Sequence, residues 1–101
     1  MRLRVKPTPL AAQQIRNESR WWRRNRIKAP ALFQAELRRA FALIAEYPEA
    51  GACVDDTDIA DVRRILLAGT QHYVYYRLNA AAKRVEVLAV WSTSRGDMPR
   101  L

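Results

Sequence analysis

Fifteen of the 18 cationic side chains in this 101-residue chain are arginines. A planar guanidinium grips carboxylate or phosphate oxygens at two points, which a lysine ammonium cannot do. Arg63, Arg64, Arg77 and Arg95 fall in or beside a tyrosine-rich stretch that includes Tyr73 and Tyr75. Brought together, these residues would hold a phosphate backbone or the carboxylates of an acidic polypeptide. Arginine and tyrosine can also stabilise phosphoryl charge, but they are poor general bases near neutral pH. The other chemistry-bearing residues are isolated. His72 is the only histidine, and its strand position points it toward a core, where such a residue is structural. Cys53 has no basic neighbour to favour a thiolate. Asp55, Asp56, Asp58 and Asp61 lack the spacing of a calcium loop and read as a solvated acidic segment. There is no glycine-rich phosphate loop, and the residues call for neither a metal nor a cofactor.

The elements that must carry these side chains follow from periodicity. Residues 2–6 alternate charged and aliphatic, which predicts a strand with Leu3 and Val5 facing inward. Pro7-Thr8-Pro9 breaks it, and Thr8 can cap a helix running from Leu10 to about Asn25 or Arg26. Pro30 suits the first turn of a second helix, in which Phe33, Leu37, Ala40, Phe41 and Ile44 share a face; it ends near Tyr47, before Pro48. The short link predicts an antiparallel helical hairpin. An acidic loop then reaches Asp61. Strands are expected at 62–67, 72–79 and 84–91, followed by a polar tail from Ser92. The fold class is therefore α+β: an N-terminal strand, a helical hairpin, then a three-stranded antiparallel meander, all in one domain spanning 1–101.

Alternation sorts the strand residues. His72, Val74, Tyr76 and Leu78 share one side of the middle strand; Tyr73, Tyr75 and Arg77 share the other. On the last strand, Val85, Val87, Ala89 and Trp91 form one set, and Glu86, Leu88 and Val90 the second. The sheet face away from the helices should combine tyrosines, aliphatics and arginine, the composition of a binding surface. Arg63 and Arg64 must point to opposite faces, so one of them reaches it.

The formal charge of +8 is uneven: residues 48–61 carry five acidic side chains and no basic one, while both flanks are strongly basic. Nucleic acid or an acidic protein segment is the expected partner class. No apolar run approaches the ~18 residues of a membrane span, the basic start lacks a signal-peptide core, and the lone cysteine forms no internal disulfide. These features predict a cytoplasmic protein with no membrane partner.

The ordered set of motifs resembles the RelE/ParE superfamily of toxins from type II toxin–antitoxin systems, over nearly the whole chain. The pieces are Trp21-Trp22 followed by Asn25-Arg26, then Tyr47-Pro48-Glu49-Ala50-Gly51, Val62-Arg63-Arg64-Ile65-Leu66-Leu67, the tyrosine strand from Gly69 to Leu78, and Val87 to Gly96 with Arg95. RelE-like relatives cleave mRNA on the ribosome with basic residues and often a C-terminal tyrosine or histidine. No tyrosine or histidine follows Tyr76 here, Ser92 stands where many relatives have histidine, and no lysine lies between Lys28 and Lys83. The resemblance is thus closer to ParE. It implies a growth-arresting, plasmid-stabilising type of toxin that inhibits DNA gyrase and forms a hetero-oligomer with an acidic, amphipathic antitoxin. The antitoxin or target would meet Trp21, Trp22, Arg63, Arg64, Tyr73, Tyr75, Arg77 and Arg95. Two alternatives stay open: a ribosome-dependent endoribonuclease using Arg63, Arg64, Arg77 and Arg95, and a non-toxic binding module.

Overall fold

The computed structural model describes residues 2–101. Its elements are β1 (Arg4–Pro7), α1 (Pro9–Asn25), α2 (Leu32–Glu46), β2 (Ala52–Cys53), β3 (Val62–Leu67), β4 (His72–Asn79) and β5 (Arg84–Ser92). The Thr8 side chain accepts a hydrogen bond from the Ala11 amide at 3.2 Å, and Pro9 opens α1 where its missing N–H costs nothing. Pro30 lies in the connecting turn rather than in α2, which starts at Leu32. The chain reverses there: the Trp22 indole donates to the Ala29 carbonyl at 2.7 Å, and Gln34 donates to Ser19 at 2.9 Å.

The sheet has five strands in the order β1-β5-β4-β3-β2. β3, β4 and β5 form the expected antiparallel meander. β1 adds to it in parallel beside β5, and the two-residue β2 pairs with β3 inside the segment expected to be loop. Three hairpin or loop ends use left-handed backbone at Asp61, Gln71 and Lys83 rather than at glycine. The turn after β3 is held instead by α2: Glu36 accepts the Gly69 and Thr70 amides at 2.6 and 2.8 Å.

Both helices cover one sheet face. Ala11, Trp22, Phe33, Leu37, Ala40 and Ile44 meet Leu67, Val74, Tyr76, Val85, Val87 and Val90 there. His72 belongs to this side. It is buried edge-on to Phe33, with its ring nitrogens 3.2 Å from the Thr70 hydroxyl and 3.0 Å from the Glu18 carboxylate. The hydrogen bond from His72 holds the Glu18 carboxyl below its usual range, against an opposing push from burial and with help from the charges of His72 and Arg95. A depressed carboxylate pKa contributes stability that is complete above the ordinary value and lost as pH falls through the folded one. Glu18→Gln is therefore expected to flatten the acid limb of the stability curve. Melting temperatures of the two proteins should differ most above pH 4.5 and converge below it; a constant difference from pH 7 to pH 3 would refute the assignment.

The opposite face carries a second, smaller cluster: Val62, Tyr75 and Ala89 are buried under Val54, Ile59, Leu88, Met98 and Leu101. The tail after Ser92 is thus not simply polar. Pro99 is buried and Met98 and Leu101 are partly buried, so the chain uses both sheet faces to bury apolar surface. No helix among the described residues is long and apolar enough to cross a membrane.

Candidate functional site

Strand register decides which arginine reaches which face. Arg64 stands opposite Tyr75, and Arg63 opposite Tyr76. Directly paired residues share a side, so Arg64 joins the tyrosines away from the helices. Arg63 turns to the helical side, where its guanidinium donates to the Gly51 carbonyl at 2.8 Å and to the Glu49 carbonyl at 3.2 Å. It braces the turn after α2. Tyr76 completes that brace: its hydroxyl donates to the Pro48 carbonyl and accepts the Gly51 amide, both at 2.8 Å. Burial outweighs the Gly51 hydrogen bond and lifts the phenol pKa above its ordinary value.

On the other face, the Arg64 guanidinium lies 4.0 Å over the Tyr73 ring and donates weakly to the Tyr75 hydroxyl at 3.4 Å. That hydrogen bond is the main cause of a pKa above the ordinary arginine value, so Arg64 stays charged. Tyr73 and Tyr75 meet edge to face, with centroids 6.1 Å apart. Tyr73 is cross-strand partner to Trp91, and Arg95 stacks 4.4 Å over the Trp91 ring. The outcome is a row across three strands: cation, ring, ring, cation. The rings fix the guanidinium groups without neutralising them, as cation–π contacts do. Arg95 also lines a small cleft with Gln14, Asn17, Glu18 and Ser92 where α1 passes the end of β5.

Trp91 enters this row because of a bulge. Tyr75 pairs with Ala89 but Tyr76 pairs with Val87, leaving Leu88 as the extra residue on β5. The insertion reverses alternation at that point. Val85 and Val87 pack under the helices, Ala89 and Trp91 face the other way, and Val90 takes the helical side. The set Val85, Val87, Ala89 and Trp91 expected from strict alternation is therefore split. Leu88 offers no glycine or proline to signal the bulge, so Trp91 could not be found from the sequence.

The remaining candidates lie elsewhere or are occupied. Tyr75 is 2 % exposed and presents only its surroundings, not an open ring. Arg77 shares the face, but its Nε sits 3.3 Å from a Glu86 carboxylate oxygen, without hydrogen-bond alignment. Arg84 approaches the other oxygen of Glu86 at 3.1 Å, and its hydrogen bonds, followed by that of Asn79, hold the Glu86 carboxyl below its usual range. The charge of Arg77 is thereby offset within the protein. Trp21 and Trp22 sit at the far end of α1: Trp22 is core, while Trp21 is 46 % exposed beneath the Arg26 guanidinium at 5.0 Å. Cys53 is exposed on β2. Among the described residues, no three histidine, cysteine or acidic side chains converge as metal ligands.

Arg64 and Arg95 can bind anions, and Tyr73 and Trp91 can supply apolar contact between them. The arrangement contains no imidazole, because His72 is on the other side of the sheet.

Comparison with known proteins places this fold. The chain is similar to a solved structure described as the chromosomal ParDE TA system from P. aeruginosa, with a TM-score of 0.68 and 16% identity, covering 89% of this chain and 95% of that one. At that identity the likeness is one of fold. No curated relative matches the chain. The model of the family described as "ParE toxin of type II toxin-antitoxin system, parDE" matches residues 5–96, from β1 through the whole meander to the turn beyond Arg95. With the two-helix layer, the sheet and the arginine-bearing strands all inside that match, the chain belongs to the ParE toxin family of type II toxin–antitoxin systems.

Proposed function

We propose that the protein inhibits DNA gyrase by binding it, without covalent chemistry of its own, and that a cognate antitoxin neutralises it. Membership of the ParE toxin family supports a toxin reading. One observation carries the choice of binding over RNA cleavage. The only imidazole is buried on the helical side of the sheet, held by Glu18 and Thr70, while Arg64 stacks on Tyr73 on the opposite side and Arg95 stacks on Trp91 at the end of the sheet. Proton transfer at a scissile ribose would need a group near its working pKa beside the phosphate. The arginine row offers charge and stacking instead, the ingredients of a hot spot.

An antitoxin partner fits the same chemistry. A solved structure of similar fold is described as a chromosomal ParDE TA system. A disordered acidic, amphipathic segment could fold on this chain, with apolar anchors beside Tyr73 and Trp91 and carboxylates on the arginines. The complex would be a cytoplasmic hetero-oligomer.

The test is a supercoiling assay with purified gyrase, run beside primer extension on translated mRNA. Inhibited supercoiling that is relieved by the antitoxin, with no new mRNA ends, is the expected result. Unimpaired supercoiling at saturating protein would overturn the gyrase reading, and codon-phased cuts would replace it with ribonuclease activity.

A further inference from the structure

The outward face of α1 is a cationic stripe that neither the core nor the arginine row uses. Arg16, Arg20, Arg23 and Arg24 are all exposed. At 3.6 residues per turn they fall within about 100° of arc, opposite the buried Ala11 and Trp22. None of the four joins an ion pair among the described residues. The one acidic residue of α1, Glu18, is turned inward to His72. Arg16 makes only a neutral contact, donating to Gln13 at 2.7 Å. Arg23 and Arg24 lie in the last turn, where cations favour the helix dipole. Arg16 and Arg20 lie further back, so helix stability does not account for the stripe.

We propose that this face of α1 docks on the phosphate backbone of duplex DNA, independently of sequence. From Arg16 to Arg24 the helix rises about 12 Å, and the long arginine side chains reach beyond that span, toward phosphates of a duplex that carries one charge per about 1.7 Å of axis with both strands counted. Two rival partners fit less well. An acidic polypeptide gains little from exposed carboxylate–arginine pairs unless apolar anchors accompany them. The stripe is flanked by Gln13 and Asn17, which hydrogen-bond to each other at 3.1 Å, and it offers no groove. A single strand binds through aromatic platforms. The exposed ring beside the stripe, Trp21, already carries Arg26 over it. Phosphate contacts need neither anchor nor platform, because counterion release drives them.

The test uses the full chain, alone, with a fluorescent duplex of arbitrary sequence. Four phosphate contacts predict a slope of log affinity against log salt near about −3.6, or roughly a 100-fold loss between 50 and 200 mM salt. The variant Arg16→Gln/Arg20→Gln/Arg23→Gln/Arg24→Gln should abolish that dependence, and Arg16→Gln/Arg20→Gln should halve it. Arg38→Gln/Arg39→Gln, on α2, should leave it in place. Glutamine keeps helix propensity close to that of arginine, and circular dichroism checks each fold. The paired substitution serves if the fourfold one does not fold. Absence of duplex binding by the native chain at 50 mM salt would overturn the proposal, as would an unchanged slope in a folded variant. Loss of antitoxin binding with duplex binding intact would assign the stripe to a polypeptide instead. The assay contains no gyrase, so its outcome is separate from the supercoiling result.

Discussion

Gly51→Ala is expected to lower the unfolding free energy by about 3 kcal/mol, a large share of the 5–15 kcal/mol typical of a domain. A Cβ at this position would lie 2.6 Å from the Tyr76 hydroxyl, 2.7 Å from the Arg64 carbonyl oxygen and 2.9 Å from a Tyr76 ring carbon. The tyrosine cannot swing aside cheaply. Its ring is fully buried in the helical core, and its hydroxyl joins the Pro48 carbonyl to the Gly51 amide. Nor can the Arg64 carbonyl retreat, because Arg64 pairs with Ala52 on one side and Tyr75 on the other. The overlap must break the tie between the α2–β2 turn and the sheet, leaving buried polar groups without partners. Tyr76→Phe alone should cost about 1–3 kcal/mol by removing the same two hydrogen bonds. Urea unfolding of both single variants and the double variant measures the coupling. Strongly subadditive losses are expected, since both changes sever one tie. Full additivity would mean that the glycine is needed for some other reason.

Under the proposed activity, Arg64→Ala is expected to weaken inhibition of gyrase by about 30-fold, equivalent to ~2 kcal/mol of binding, with little change in melting temperature. The stability effect is small because the group's only side-chain hydrogen bond is long, 3.4 Å to Tyr75, and partly exposed. The binding effect is large because the Tyr73 ring holds the guanidinium in place at 4.0 Å without cancelling its charge. An arginine ordered before binding loses less side-chain entropy when it docks. Arg77→Ala is the internal comparison. It removes a guanidinium from the same face, but one already beside Glu86, and should change inhibition less than about threefold. Dose–response curves for the two variants decide the matter. Inhibition that survives Arg64→Ala and is lost with Arg77→Ala would remove the arginine–aromatic row from the binding surface.

Much of the frame was legible in the residues. The 3.6-residue spacing of Phe33, Leu37, Ala40 and Ile44 and the alternation of β4 are local signals, and local backbone geometry obeys them. Thr8 before Pro9 marked the start of α1 for the same reason. So did the class of chemistry: many arginines, one histidine, no phosphate loop. The sequence by itself thus determined the charge and every element except the two-residue β2. Only the tertiary structure decided which of the candidate residues stand together. It put Arg64 with Tyr73 and sent Arg63 to the Gly51 turn, because cross-strand register is set by distant partners. It offset Arg77 with Glu86 from another strand. It folded Met98 and Leu101 over Tyr75, where periodicity had left a polar tail. And it used one unpaired residue, Leu88, to turn Trp91 and its stacked Arg95 onto the tyrosine face. A strand's alternation is a property of its own backbone, but a bulge exists only relative to its neighbour. For that reason the cations of this chain were countable in the sequence, while the pair stacked on the aromatic rings became identifiable only when the strands were paired.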